Sequence, residues 1–231
     1  MVLPFISVLL YVISFPIVYL DFSLWPLMLI ALVPFFMELE RNHSLLRKFL
    51  AGAVWGCIAS LCMGYWLFYA MIWQYGTSII TGVIFMIAGL MIPHGFVYGI
   101  FAVLYDFMKG TKLSRRFPPV FYVIVVPSLW VVTEFLRELI PLLVPWGFAG
   151  YALQPWNLFM QMADITGIYG VSFLVVMING LMAFLLREIG FRDIKQGALN
   201  ALNTTWLKNF YRRNRFPLAL LALALIIPLC Y

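Results

Sequence analysis

The chain has 231 residues, of which 65% are hydrophobic and only 10% charged, and its mean hydropathy is +0.99. A soluble domain is about 45–50% apolar and about 25% charged, so these values exclude an ordinary soluble fold and define an integral membrane protein. The formal net charge of +6 needs no nucleic-acid partner, because it follows from the loop bias described below.

A spanning helix needs about 20 apolar residues. Val2–Leu20 meets that length, and without a basic flank or a small-residue cleavage site it reads as a retained membrane helix and not a signal peptide. Asp21-Phe22-Ser23 is a turn, with Ser23 placed to cap the next helix and Pro26 tolerated in its first turn. Leu24–Met37 has 14 residues and contains Pro26 and Pro34, so taken alone it fits a re-entrant segment as well as a span. Glu38–Lys48 is the first charged loop.

Phe49–Trp73 is the next span. Gly52, Gly56, Ser60 and Gly64 recur every four residues and line one face with small side chains, the pattern that lets a neighbouring helix approach closely. Cys57 and Cys62 are read as small core residues. Tyr65, Trp66, Tyr69 and Trp73 mark an interface belt. A turn at Gln74-Tyr75-Gly76-Thr77 leads into a span from Ser78 to about Tyr105, interrupted by Pro93. His94, beside that proline, is expected to bond a freed backbone carbonyl in preference to handling protons. Asp106–Arg116 is the second charged loop, and Phe117 to about Leu136 the following span. Thr166–Leu186 spans again, with Ser172 and Asn179 on nearly one face and suited to interhelical hydrogen bonds. Arg187–Arg215 is the third charged loop, polar enough to stand clear of the membrane, and Phe216–Tyr231 the last apolar run.

The three charged loops hold 14 of the 15 Lys and Arg residues, so all three belong on the cytoplasmic side. The fold expected is all-α: one polytopic transmembrane domain over residues 1–231, of about seven helices, with the N-terminus cytoplasmic and the C-terminus on the outer face. If Leu24–Met37 does not cross, six spans remain and the N-terminus is outside.

Residues Val126–Phe173 organise the rest. The apolar helix ends in Glu134, Arg137 and Glu138, which share one helix face. The chain then breaks at Pro141, Pro145-Trp146-Gly147 and Gly150-Tyr151, and re-enters an apolar segment at Gly167. Charges at the end of a membrane helix mark a functional site unless they simply neutralise each other. Arg137 has the planar donor fork suited to a lipid phosphate or a carboxylate. Trp146 and Trp156 fit either interface anchors or the wall of a lipid groove, and Leu158–Ala163 is placed to form a short interfacial helix. No nucleophile stands beside a base; Cys230 has no neighbouring His or Lys. Three cysteines without a CxxC pair and two histidines, His43 and His94, without ligand spacing imply no metal, disulfide or cofactor.

These residues form a series that resembles the membrane part of apolipoprotein N-acyltransferases. Phe15-Pro16, Asp21-Phe22-Ser23-Leu24-Trp25-Pro26 and Ala31-Leu32-Val33-Pro34 look like that family's first helical hairpin, which supports Leu24–Met37 as a span. Gly64-Tyr65-Trp66 with Gly76 looks like its third helix and outer turn. Pro127-Ser128-Leu129-Trp130, Thr133-Glu134-Phe135-Leu136-Arg137, Pro145-Trp146, Gly150-Tyr151 and Gly167-Ile168-Tyr169-Gly170-Val171-Ser172-Phe173 follow in family order. Glu138, where the family often has Gly, and Leu139–Val144 depart from the pattern.

The resemblance implies a bacterial inner-membrane location and a nitrilase-like domain on the outer face, inserted after the seventh helix. That domain carries a Glu–Lys–Cys triad, which moves an acyl chain from a phospholipid to the α-amine of a lipoprotein. None of the triad maps onto these residues, so the chain is expected to be inactive alone. Trp66, Glu134, Arg137, Trp146 and Tyr151 are the residues expected to shape a lipid site. Expected partners are phospholipid, bacterial lipoprotein and a separately encoded nitrilase-like domain. The alternative is a non-enzymatic lipid-binding or partner-docking scaffold; a small transporter is disfavoured by the lack of a clear inverted repeat.

Overall fold

The computed structural model describes residues 2–16, 24–140, 143–189 and 204–226. The described residues form helices and no strand. In chain order we name α1 (Val2–Ile13), α2 (Trp25–Leu39), α3 (Leu45–Gln74), α4 (Ile79–Lys109), α5 (Pro118–Leu139), α6 (Ala163–Ile189) and α7 (Thr204–Ile226). Four of them, α3 to α6, are long and apolar enough to cross a membrane. The first two are shorter than the expected spans: α1 has 12 residues, and α2 would rise only about 22 Å at 1.5 Å per residue. The Asp21-Phe22-Ser23 turn lies outside the described residues.

The short second segment is the inside of the bundle. Met28, Ala31, Leu32, Phe35, Phe36 and Leu39 are fully buried. Phe35 stacks on Trp55 of α3, and Trp55 and Phe101 both pack edge-on against Trp130 of α5. α2 breaks at Leu32, before Pro34, and Asn179 of α6 fills the break. Its side-chain oxygen accepts from the Leu32 N–H (2.8 Å), and its amide nitrogen donates to the Met28 carbonyl (2.9 Å) and to Val175 O (2.8 Å). Leu32 N and Met28 O would bond each other in an unbroken helix, so one side-chain amide replaces a backbone pair. Asn179 thus makes the interhelical bonds expected of it.

α3 and α4 pack through the small-residue stripe. A Cβ at Gly52 would lie 2.2 Å from Tyr98 O, and one at Gly56 2.6 Å from His94 O. Helix packing therefore accounts for that stripe. Cys57 is half-buried beside Gly95, but Cys62 is exposed and not a core residue, since it lies off the packed face.

Prolines do not break the long helices. Pro93 in α4 follows a π-helical stretch at Phe85–Met91, and Pro127 in α5 follows one at Phe121–Val125. Proline removes one N–H and crowds the carbonyl four residues back; a wider turn accommodates both effects without stopping the helix.

The charged loops are shorter than expected, because charges at helix ends pair across helices. Glu38 ends α2 buried, with Arg41 at 3.1 Å and His43 at 3.4 Å. Lys48 lies within α3 and pairs with Asp106 of α4. Glu40 Oε1 accepts from the hydroxyls of Tyr105 and Tyr122 (both 2.8 Å), while Oε2 pairs with Lys109 and, at 2.8 Å, with Arg187. This knot ties the ends of α2, α4, α5 and α6 together at one end of the bundle. The third loop is corrected as well: Thr204–Arg215, expected to stand clear as a loop, begins α7, which continues through Pro217. Arg212, Arg213 and Arg215 are compatible with a helix because long basic side chains cover apolar surface while their heads reach water.

Candidate functional site

At the opposite end of the bundle, residues 143–156 fold back over the end of α5. Glu134 and Arg137 sit beneath this segment, 0% and 4% exposed. Glu134 Oε1 accepts from Trp130 Nε1 (2.9 Å) and from the backbone N–H of Ala149 (2.8 Å). Arg137 donates to Tyr98 OH (3.0 Å), Val144 O (3.0 Å) and Trp146 O. Its guanidinium lies 5.2 Å from the centre of the Phe148 ring. The two residues do not form a direct ion pair; each instead pins the backbone of the segment that follows. One oxygen of Glu134 and Nε of Arg137 remain buried without a hydrogen-bond partner. Glu138 does not share their surroundings: it is exposed, and its carboxylate accepts a hydrogen bond from Tyr169 OH.

Other elements complete the clamp. Tyr11 of α1 donates to Gly147 O (2.7 Å), and Ser172 of α6 accepts from Gly150 N (2.9 Å). His94 Nδ1 lies 2.8 Å from Leu90 O and Nε2 3.3 Å from Val144 O; a neutral imidazole has a single N–H, so it donates to one of these two backbone carbonyls, the kind of bond expected of it. Gly147 has φ +68 and Gly167 φ +65, left-handed conformations that side chains disfavour. Gly147 turns the chain back over α5, and Gly167 divides the short turn Ala163–Thr166 from the main length of α6. A short helix at Asn157–Met160 lies near the place expected for an interfacial one.

Trp66, Trp146 and Tyr151 are 44%, 39% and 42% exposed, and the indoles of Trp66 and Trp146 pack 4.7 Å apart. The structure thus brings four of the five expected site residues, Trp66, Trp146, Arg137 and Glu134, into one connected cluster. Tyr151 joins it through Phe148, whose ring stacks parallel at 5.7 Å. Two cavities flank this end of α5. An open pocket of 540 Å³ is lined by Glu138, Trp146, Phe148, Tyr151, Gly167 and Tyr169, among others. A groove of 330 Å³ between α4 and α5 is lined by apolar residues such as Phe96, Ile100, Val132, Leu136 and Ile140. Sequence reasoning did not single out Tyr98, Tyr11 or Phe148; Tyr98 and Tyr11 lie 39 and 136 positions from their partners Arg137 and Gly147, and Phe148 is an apolar residue whose contact with Arg137 has no sequence signature. Cys230 lies outside the described residues, and among the described residues no group of His, Cys, Asp or Glu is placed to hold a metal ion.

Fold and site together define a helical membrane domain that carries, at one end, a buried Glu/Arg clamp beneath an aromatic pocket and an apolar groove. The family model for the apolipoprotein N-acyltransferase N-terminal domain matches residues 7–181, well over half of the chain, and the chain belongs to that family. It is 28% identical to an apolipoprotein N-acyltransferase of Geobacter metallireducens over 171 residues, 73% of this chain and 30% of the relative. It is 25% identical to apolipoprotein N-acyltransferase 1 of Treponema denticola over 190 residues, 82% of this chain and 29% of the relative. A Rickettsia prowazekii relative of the same name is 34% identical over 95 residues, 41% of this chain and 18% of that protein. The chain therefore spans less than a third of the length of these curated relatives.

Proposed function

We propose that this membrane domain holds the acyl chains of phospholipid and lipoprotein at the outer face of a bacterial inner membrane, for N-acylation of the lipoprotein. The observation that carries the reading is the clamp. Glu134 and Arg137 fix residues 144–149 so that an open aromatic pocket and an apolar groove adjoin the same turn. The groove suits methylene chains, whose attraction for an apolar wall is non-directional and proportional to area. The pocket, half-exposed and mixed in polarity, suits a headgroup. The excess of basic residues at the Glu40 end supports placing that end in the cytoplasm and the clamp at the outer face.

Acyl transfer itself belongs to a nitrilase-like catalytic unit, on the same polypeptide or separately supplied. Its cysteine thiol would displace the lysophospholipid from the acyl ester to give a thioester, and the lipoprotein amine would then attack that thioester, forming the amide and releasing the thiol. The test is acyl transfer from a labelled phospholipid to a diacylglyceryl-cysteine peptide in vesicles. These 231 residues alone should give none, and addition of a nitrilase-like domain with Glu, Lys and Cys should restore it. Transfer by the 231 residues alone, abolished in Cys230→Ala, would overturn the assignment. Lipid binding with no effect on any added catalytic domain would favour a non-enzymatic scaffold.

A further inference from the structure

We propose that the pocket at Glu138, Trp146, Tyr151 and Tyr169 is an aromatic cage for the ammonium group of a membrane amphiphile. The proposal rests on the lipid-holding reading above and names the chemistry that its headgroup pocket takes. Of the residues lining this pocket, one is charged, and it is a carboxylate; none is basic. Three further walls are the partly exposed rings of Trp146, Tyr151 and Tyr169, and Phe148 lies behind them, 5.7 Å from both Tyr151 and Tyr169. Aromatic faces carry partial negative charge and attract cations, most strongly when water is displaced. The Tyr169 hydroxyl donates to Glu138 and so holds the carboxylate at the pocket. A carboxylate accepts several hydrogen bonds, so this one bond leaves capacity for an ammonium donor.

The nearby cation does not reverse the polarity. Arg137 lies behind Phe148, its guanidinium 5.2 Å from that ring's centre, but it is 4% exposed, its terminal nitrogens are bonded to Tyr98, Val144 and Trp146, and it does not line the pocket, whose outer rings are Trp146, Tyr151 and Tyr169. A phosphate would therefore meet aromatic rings and a carboxylate with no basic side chain in the lining, and an ammonium meets the complementary charge. The 540 Å³ volume leaves room for the group and the polar segment attached to it. Two sources share this chemistry: an amine-bearing phospholipid headgroup, and the free α-amine of a lipidated peptide.

The test uses the full chain in phosphatidylglycerol nanodiscs, titrated with phosphatidylethanolamine or with a diacylglyceryl-cysteine peptide. Each ligand is compared with its N-acetylated form, which keeps the chains and removes the charge. Binding is read by Trp fluorescence and by native mass spectrometry. Wild type should bind at least one free amine about tenfold more tightly than its acetylated form. Glu138→Gln should abolish that preference, while Tyr169→Phe should weaken it and keep the charge dependence. The ligand that shows the preference identifies the source. Equal binding of free and acetylated forms of both ligands by wild type would overturn the cage while leaving lipid holding intact. Binding of no diacyl ligand at all would instead defeat the underlying reading.

Discussion

Replacing Glu134 with Ala removes the one acceptor that serves both the Trp130 indole and the Ala149 backbone N–H. Both donors are buried, and each loses its partner at a cost of about 1–3 kcal/mol. Arg137, itself 4% exposed, keeps its own donors bonded to Tyr98, Val144 and Trp146. The two lost partners together therefore cost about 2–6 kcal/mol. For a chain of this size each kcal/mol corresponds to about 2–4 °C, which places the loss on the order of 10 °C. Glu134→Gln keeps an oxygen where both donors meet and should lose less than half as much. The assay is thermal unfolding in detergent, followed by Trp fluorescence, together with iodide quenching of Trp146 in a background where other exposed indoles are replaced. In Glu134→Ala, Trp146 should become more accessible well below the midpoint, because the 143–156 segment lifts before the bundle opens. A melting point within about 2 °C of wild type, with unchanged quenching, would refute the clamp.

Other interactions give separable outcomes. Gly52→Ala puts a methyl group 2.2 Å from Tyr98 O and 2.9 Å from Ala102 Cβ, so α3 and α4 must part, at a cost of about 1–3 kcal/mol. Gly76→Ala, whose Cβ meets nothing, should cost only the strain of φ +63, about 1–2 kcal/mol, in the same melting assay. Asn179→Leu strands Leu32 N and Met28 O and should cost about 2 kcal/mol, with faster amide exchange at Leu32 the specific readout. Glu40→Gln should lower stability by about 1–3 kcal/mol, and high salt should not reproduce the loss in wild type, because Glu40 is only 7% exposed at its side chain.

The parts of the fold visible in the sequence are those set by composition over a whole helix. Long apolar runs marked α3 to α6, and the Gly52–Gly64 repeat marked the face on which α4 rests. The π-helical turns before Pro93 and Pro127 were not visible, since an i→i+5 bond has no residue signature and depends on how the proline is accommodated. The start of α7 was obscured because basic residues that reach the membrane surface resemble a loop. Glu134 and Arg137 stood out as charges in an apolar helix, but their partners lie far away in sequence. Tyr98 is 39 positions from Arg137, and Ala149 offers only a backbone N–H that every residue type shares. Glu138 was grouped with them by helical spacing; a single step along α5 instead carries it onto the exposed face, where Tyr169 meets it.

The central claim, that lipid is held at the clamp end, is tested most directly by crosslinking a phospholipid that carries a photoactivatable group near its glycerol to the chain in vesicles, then mapping the adducts by mass spectrometry. The account predicts adducts concentrated on Glu138, Trp146, Tyr151 and Tyr169, continuing into the groove at Leu136 and Ile140, and reduced in Trp66→Ala and Trp146→Ala. An even spread over lipid-accessible side chains at that depth, unchanged in both variants, would contradict it.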